Sequence, residues 1–177
     1  MRRAFLAATA LVALALTTSP AAASSGAGSA SASASGGWEP APTPPYDMPA
    51  GDRCDVPVHS EPVVDEVVQR VLDRRADGTA SRVAYRGDLV VRVTNTDTGV
   101  FHDADVSGSA VVDYHADGSQ KWYVVGPVLA GVGENAGNLA RGLYVLDGVY
   151  TMDISATGHK TVHLVHGSAD DLCARIG

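Results

Sequence analysis

Only two cysteines occur in the 177 residues, too few for a thiolate metal cluster or for the multiply bridged scaffolds of small secreted domains. Positive charge is short as well: 13 Lys and Arg face 20 Asp and Glu, a net charge of −7, and the basic residues gather into no stripe. Aromatic residues make up 6% of the chain, which leaves little to stack on bases, so a nucleic-acid partner is excluded. No G-x-S-x-G elbow, phosphate loop, Cys/His nucleophile pair or dinucleotide fingerprint is present. No motif therefore names a chemistry, no cofactor or metal is expected, and an enzyme is not the favoured reading.

What is there begins with a leader. Arg2 and Arg3 form a positive head, Ala4 to Leu16 an apolar run, and Ala21-Ala22-Ala23 a site of small residues of the kind a signal peptidase reads. The run falls short of the roughly 20 residues that cross a bilayer, so residues 1–23 are expected to be a signal peptide. The product is then a secreted, extracellular protein with no membrane insertion once the signal is removed. Residues 24–52 are rich in Ala, Ser, Gly and then Pro, a composition that buries too little to offset its ordering entropy, and are expected to be a disordered spacer, stiffer through PAPTPP. Residues 53–177 remain as a single β domain.

Within that domain β-branched runs are cut by turn signals at Asp77-Gly78, Gly87-Asp88, Thr98-Gly99, Gly108-Ser109, Asp117-Gly118, Gly126-Pro127, Asp147-Gly148 and Thr157-Gly158. This spacing predicts an all-β antiparallel up-and-down meander of about eight or nine strands. Such a meander has two edges to hide. Closure into a small barrel hides both, and a β-sandwich is the alternative. Turn chemistry also sets register: Arg75 opposite Thr79 places Val71 across from Val83 and Gln69 across from Tyr85, and Asn95 opposite Val100 places Arg92 across from Asp103 and His102 beside Val93. Pro127 to Arg141 breaks the rhythm and is expected to be a long loop, with Glu134, Asn135 and Asn138 as binding candidates.

Cys54 and Cys173 bracket the domain. In an exported chain they are expected to form a disulfide closing a loop of about 120 residues, and a closed sheet would bring them together. His102 points inward in the register above and needs a polar partner such as Tyr114 or Tyr150, which makes His102 with Tyr114 the one weak catalytic candidate. Asp103 and Asp105 share the opposite face, where a cross-strand ion pair or a Ca²⁺ site are the readings. His159, His163 and His166 suggest a metal grouping on a helix, but on a strand His163 and His166 should face opposite ways.

The motifs Cys54-x-x-Pro57-Val58-His59, Thr94-Asn95-x-Asp97-Thr98-Gly99, Val106-Ser107-Gly108, Asn138-Leu139-x-Arg141-Gly142 and Leu172-Cys173 give the chain a resemblance to a group of secreted β-rich actinobacterial proteins to which no activity is assigned. The resemblance spans nearly the whole globular part and rests on turn and framework residues, so it carries over no functional residue. Small lipocalin-like and allene-oxide-cyclase-like barrels are analogous to the expected fold only. The function expected is an extracellular binding module, its ligand a small apolar molecule in a barrel lumen. Two alternatives stand beside it: a barrel enzyme acting on a hydrophobic substrate, and a protein that binds a cell-envelope component.

Overall fold

Three turns of one geometry organise the chain. In Arg75–Thr79, His115–Ser119 and Ser155–His159 the first residue donates its N–H to the carbonyl of the fifth at 2.8, 2.9 and 2.9 Å, and the glycine in fourth position donates back to the first. That glycine has φ of 87° at Gly78, 86° at Gly118 and 86° at Gly158, a left-handed conformation that a Cβ disfavours. In the first two turns the carboxylates of Asp77 and Asp117 accept from the backbone and hydroxyl of Thr79 and Ser119.

The computed structural model describes residues Gly37–Gly177. The signal peptide read over residues 1–23 and the first part of the spacer lie outside the described residues. The strands are β1 (Glu39–Pro40), β2 (Tyr46–Met48), β3 (Val58–Asp65), β4 (Val68–Arg74), β5 (Ala80–Arg86), β6 (Leu89–Asn95), β7 (Phe101–Asp105), β8 (Ser109–Tyr114), β9 (Gln120–Val125), β10 (Val128–Val132), β11 (Gly142–Ile154) and β12 (Lys160–Asp171), followed by one turn of helix, α1 (Cys173–Ile176). The three turns join β4 to β5, β8 to β9 and β11 to β12, all in one large sheet ordered β1-β4-β5-β8-β9-β11, with β12 and β10 also paired to β11. A second sheet runs β2-β3-β6-β7. The register expected from the turns holds: Gln69 pairs with Tyr85, Val71 with Val83, Arg92 with Asp103 and Val93 with His102.

The fold is all-β and antiparallel, but among the described residues no sheet closes into a barrel, and the two-sheet arrangement is that of a sandwich. The reason lies where β7 leads into β8 and β9 into β10. The β8–β9 ladder ends at Ser109↔Val125, and just beyond it a Cβ at Gly108 would sit 2.3 Å from the Pro127 carbonyl oxygen. Pro127 has no N–H to extend the ladder. The two strands diverge there, β7 staying with β6 and β10 with β11.

Pro127 to Arg141 is accordingly not all loop. β10 continues the ladder of β9 along β11 without a change of register, Val125↔Val149 leading to Val128↔Leu146, and only Gly133 to Arg141 remains irregular.

The Pro-rich half of the expected spacer belongs to the domain. β1 pairs with β4 on the edge of the large sheet, and β2 pairs with β3 on the edge of the small one. Ala41 to Pro45 therefore passes from one sheet to the other as a strap. Ala41 N–H donates to the Val67 carbonyl at 2.9 Å, Thr43 N–H to Asp65 at 2.6 Å, and the Met48 side chain is buried.

Burial falls into two clusters. One joins the small sheet, α1 and one face of β11 through Val91, Val93, Leu143, Leu172 and Ile176, and the other lies on the large sheet around Val112, Val124, Leu146, Tyr150 and Met152. Cys54 and Cys173 are bridged, with Cα atoms 5.3 Å apart. Closure is not needed for this meeting. The helix α1 packs on β6, β7 and β11, and buried Asn95 donates to the Ile176 carbonyl at 3.0 Å, which holds the chain end beside the β2–β3 loop. No helix among the described residues is long and apolar enough to cross a membrane.

Candidate functional site: a strapped cleft between the sheets

The inner faces of the two sheets do not meet everywhere. Two adjoining cavities of about 390 and 370 Å³ lie between them and share Thr43, Pro44, Ser60, Trp122, Val128 and Leu129, so they form one cleft roofed by the strap. The first cavity runs on toward Tyr85, Leu89, Val106 and Ala110. The second runs toward Met48, Leu143, Met152, Ile154, Arg53 and Lys160. Strand alternation explains the lining: Trp122, Met152 and Val162 occupy one cross-strand row, Gln120, Ile154 and Lys160 the next, all on the face turned to the small sheet. The walls are mostly hydrocarbon with few polar groups, the composition expected of a small-molecule site.

Apart from Ser60 and Thr43, which lie where the two cavities meet, the polar groups of the cleft sit at its ends or are already engaged. Trp122 donates its indole N–H to the Gln120 side chain at 2.9 Å. At the end of the first cavity the Tyr85 and Tyr114 hydroxyls share a hydrogen bond of 2.8 Å. Burial first, and this bond second, push the Tyr114 phenol well above its ordinary range. Lys160 is half-buried, and burial together with the nearby Arg53 charge holds its ammonium below the usual lysine range.

The strap is fixed at both ends and in the middle. Outside the cleft Trp38 lies under the Arg86 guanidinium, 4.2 Å from ring centroid to charge. At the other end Asp47 on β2 accepts from His59 Nδ1 on β3 at 2.6 Å, and that bond raises the His59 pKa above its usual value. In the middle, Asp65 accepts the Thr43 and Val67 amides at 2.6 and 3.2 Å.

The residues singled out in the sequence mostly serve other ends. His102 and Tyr114 are not brought together: they lie on different strands, His102 on β7 of the small sheet and Tyr114 on β8 of the large sheet. Tyr114 is bonded to Tyr85, and its carbonyl accepts from Arg75. Tyr150, the other partner considered for His102, donates to the Leu146 carbonyl at 3.2 Å. Asp103 is held by Arg92 in a two-point pair at 2.7 and 2.8 Å, and Asp105 accepts from the Ser107 amide.

Of the loop candidates, Glu134 lies 3.5 Å from Arg141 and Asn135 takes φ of 54° at the loop tip. The Asn138 amide clamps both backbone groups of Val162, each at 2.8 Å, and so acts as framework. His163 and His166 share a face, contrary to the simple alternation, because Val165 is bulged out of β12: His163 pairs with Thr151 and His166 with Val149. Among the described residues no group of three or more potential ligands could hold a metal ion.

The strap, Arg53 and Lys160 escaped the sequence reading. A signal was present in the placement of Trp38, Tyr46 and Met48 on either side of PAPTPP, apolar anchors that a free spacer does not need. Compared with known proteins, the chain matches no family model, no curated protein and no solved structure.

Proposed function

We propose that the chain is an exported binding module whose cleft holds a small apolar molecule. The observation that carries this reading is the continuity of the cleft: apolar walls from both sheets, under a strap that is itself proline and held at three points. A ligand there gains by burying its hydrocarbon, about 25 cal/mol per Å² of surface removed from water, and the cleft takes the place of the barrel lumen expected from the sequence. Export is supported by the Met1–Ala23 leader pattern and is compatible with the Cys54–Cys173 bridge. The test is titration of the purified domain with a neutral fluorescent naphthylamine. Saturable enhancement is expected, and Leu129→Trp, which fills the wall common to both cavities, should abolish it. Enhancement without saturation, or unchanged in Leu129→Trp, would sink the reading.

A second reading is favoured by the outer face of the large sheet. Tyr123 and Val125 are 40% and 62% exposed, and with Trp38, Arg86 and Val111 they line a shallow groove of about 220 Å³. An envelope component with both apolar and polar faces fits such a surface. Retention on isolated envelope that survives Leu129→Trp but not Tyr123→Ser would select this reading over the first.

A further inference from the structure

We infer that the ligand of the cleft is a long-chain carboxylate, its hydrocarbon lying along the two cavities and its anionic head placed between Lys160 and Arg53. The inference rests on the cleft being a binding site and adds to it the polarity of the ligand.

Three observations carry it. Lys160 opens β12 opposite Ile154, so its side chain rises on the cleft side of the sheet. Its backbone is fixed on both sides, its N–H donating to the Ala136 carbonyl at 2.8 Å and its carbonyl accepting from Asn138 at 3.1 Å. A lysine on a solvated face usually finds water or a carboxylate. Lys121, which projects from the outer face, has Asp153 at 2.9 Å. Lys160 lines the second cavity, half-buried, and among the described residues no carboxylate comes within ion-pair distance of it. Burying an ammonium without a counter-charge is unfavourable, and the depressed proton affinity of Lys160 agrees with that environment.

Space is kept for the second cation. The Arg53 side chain lies across β10 over Gly131 and Gly133, where an added Cβ would come within 2.8 Å of Nε and 3.0 Å of Nη1. Asp52 takes Nη1 at 2.8 Å. Nε and Nη2 have no hydrogen-bond partner among the described residues and remain as donors. Arg53, Asp52 and Lys160 together leave one uncompensated positive charge at the cleft, in a chain whose overall charge is −7. The other cation lining the cleft, Arg86, also has no carboxylate partner among the described residues, but its guanidinium is stacked on Trp38, which lines the outer groove and not the cleft, so that charge is drawn to the outer face. A carboxylate suits the pair: Arg supplies planar donors and Lys a point charge.

The test compares ligands with one tail and three heads, dodecanoate, dodecanol and dodecyltrimethylammonium, each below its micelle concentration, by titration calorimetry on the wild-type domain and on Lys160→Gln and Arg53→Gln. Dodecanoate should bind the wild type about tenfold tighter than dodecanol, one charge-assisted contact being of that size, and the cationic probe should bind weakest. Either substitution should bring dodecanoate to within about threefold of dodecanol in the same variant, and saturable dodecanol binding by that variant reports an intact cleft. Should Lys160→Gln lose dodecanol binding through misfolding, Arg53→Gln and the wild-type preference decide. Equal binding of dodecanoate and dodecanol by the wild type, or a preference that survives both substitutions, overturns the headgroup assignment and leaves an apolar site. Failure of all three probes to bind overturns the cleft reading itself.

Discussion

The Asp65 carboxylate accepts the Thr43 amide at 2.6 Å across the gap between the strap and the end of β3. One side chain thereby ties the roof of the cleft to the bend that passes the chain from the small sheet to the large one, since Asp65 also takes the Val67 amide at 3.2 Å. Asp65→Ala leaves both half-buried amides without this acceptor, a loss of about 1 to 3 kcal/mol for charge-assisted bonds. The Thr43 amide should exchange with solvent faster by at least tenfold, and the neutral naphthylamine should both enter and leave the cleft faster. Unchanged exchange at Thr43 would show that the strap is held without Asp65.

The far end of the strap should loosen with rising pH. His59 has its pKa raised first by the hydrogen bond to Asp47; burial opposes this, and the charges of Asp47 and Glu61 raise it further. A raised pKa means that the stabilisation is fully present below the unfolded value of about 6.5 and is lost as pH climbs through the folded value. The Asp47 and Met48 amides should therefore gain exchange, beyond the intrinsic base-catalysed rise, as pH climbs above about 6.5. His59→Gln should flatten that excess.

How far the fold can be read in advance depends on how local each determinant is. The Asp-Gly turn at Gly78 sets the register of Val71 with Val83, and the Asn95–Val100 turn that of Val93 with His102, because a short turn fixes a hairpin. The bridge was legible because two lone cysteines, in a chain whose sequence reads as exported, have one another as partners. The split between the sheets was not, since it depends on Gly108 meeting the Pro127 carbonyl, a contact between residues on different strands. The shared face of His163 and His166 was hidden by the Val165 bulge, which no turn residue announces. The cleft was hidden for a related reason. Its roof is read as a proline spacer by composition, and its two cations, Arg53 and Lys160, stand more than a hundred positions apart in sequence with nothing in their neighbours to link them.

Asn138 is the polar hinge between the irregular loop and β12. Its amide both donates to the Val162 carbonyl and accepts from the Val162 amide, each at 2.8 Å, which extends the sheet by a side chain where the chain supplies no strand. Asn138→Ala strands both backbone groups of Val162 and should lower stability by about 2 kcal/mol. Asn138→Asp keeps the acceptor only and should fall between. Denaturant titration of the three proteins gives the order, and equal stability of Asn138→Ala and the parent would remove Asn138 from the framework.

The bridge should matter to the cleft as well as to stability. Cys54 and Cys173 are 119 positions apart, and restricting so long a loop in the unfolded chain stabilises the fold by roughly 4 to 5 kcal/mol. The Cys54→Ser, Cys173→Ser double variant should thus melt on the order of 10 to 20 °C lower. The loss should concentrate at the two ends, because β5, β8 and β9 hold one another through their own ladders and turns. Slow amide exchange should persist at Val112 and Val124, both buried at the centre of the large sheet, and vanish around α1. Arg53 immediately precedes the bridged Cys54, so its hold over Gly131 and Gly133 should relax with the β2–β3 loop. Below its melting range the double variant is then expected to bind dodecanol as the parent does while losing much of the preference for dodecanoate. A double variant with the parent's melting temperature would show that α1 and the β2–β3 loop are docked by packing alone.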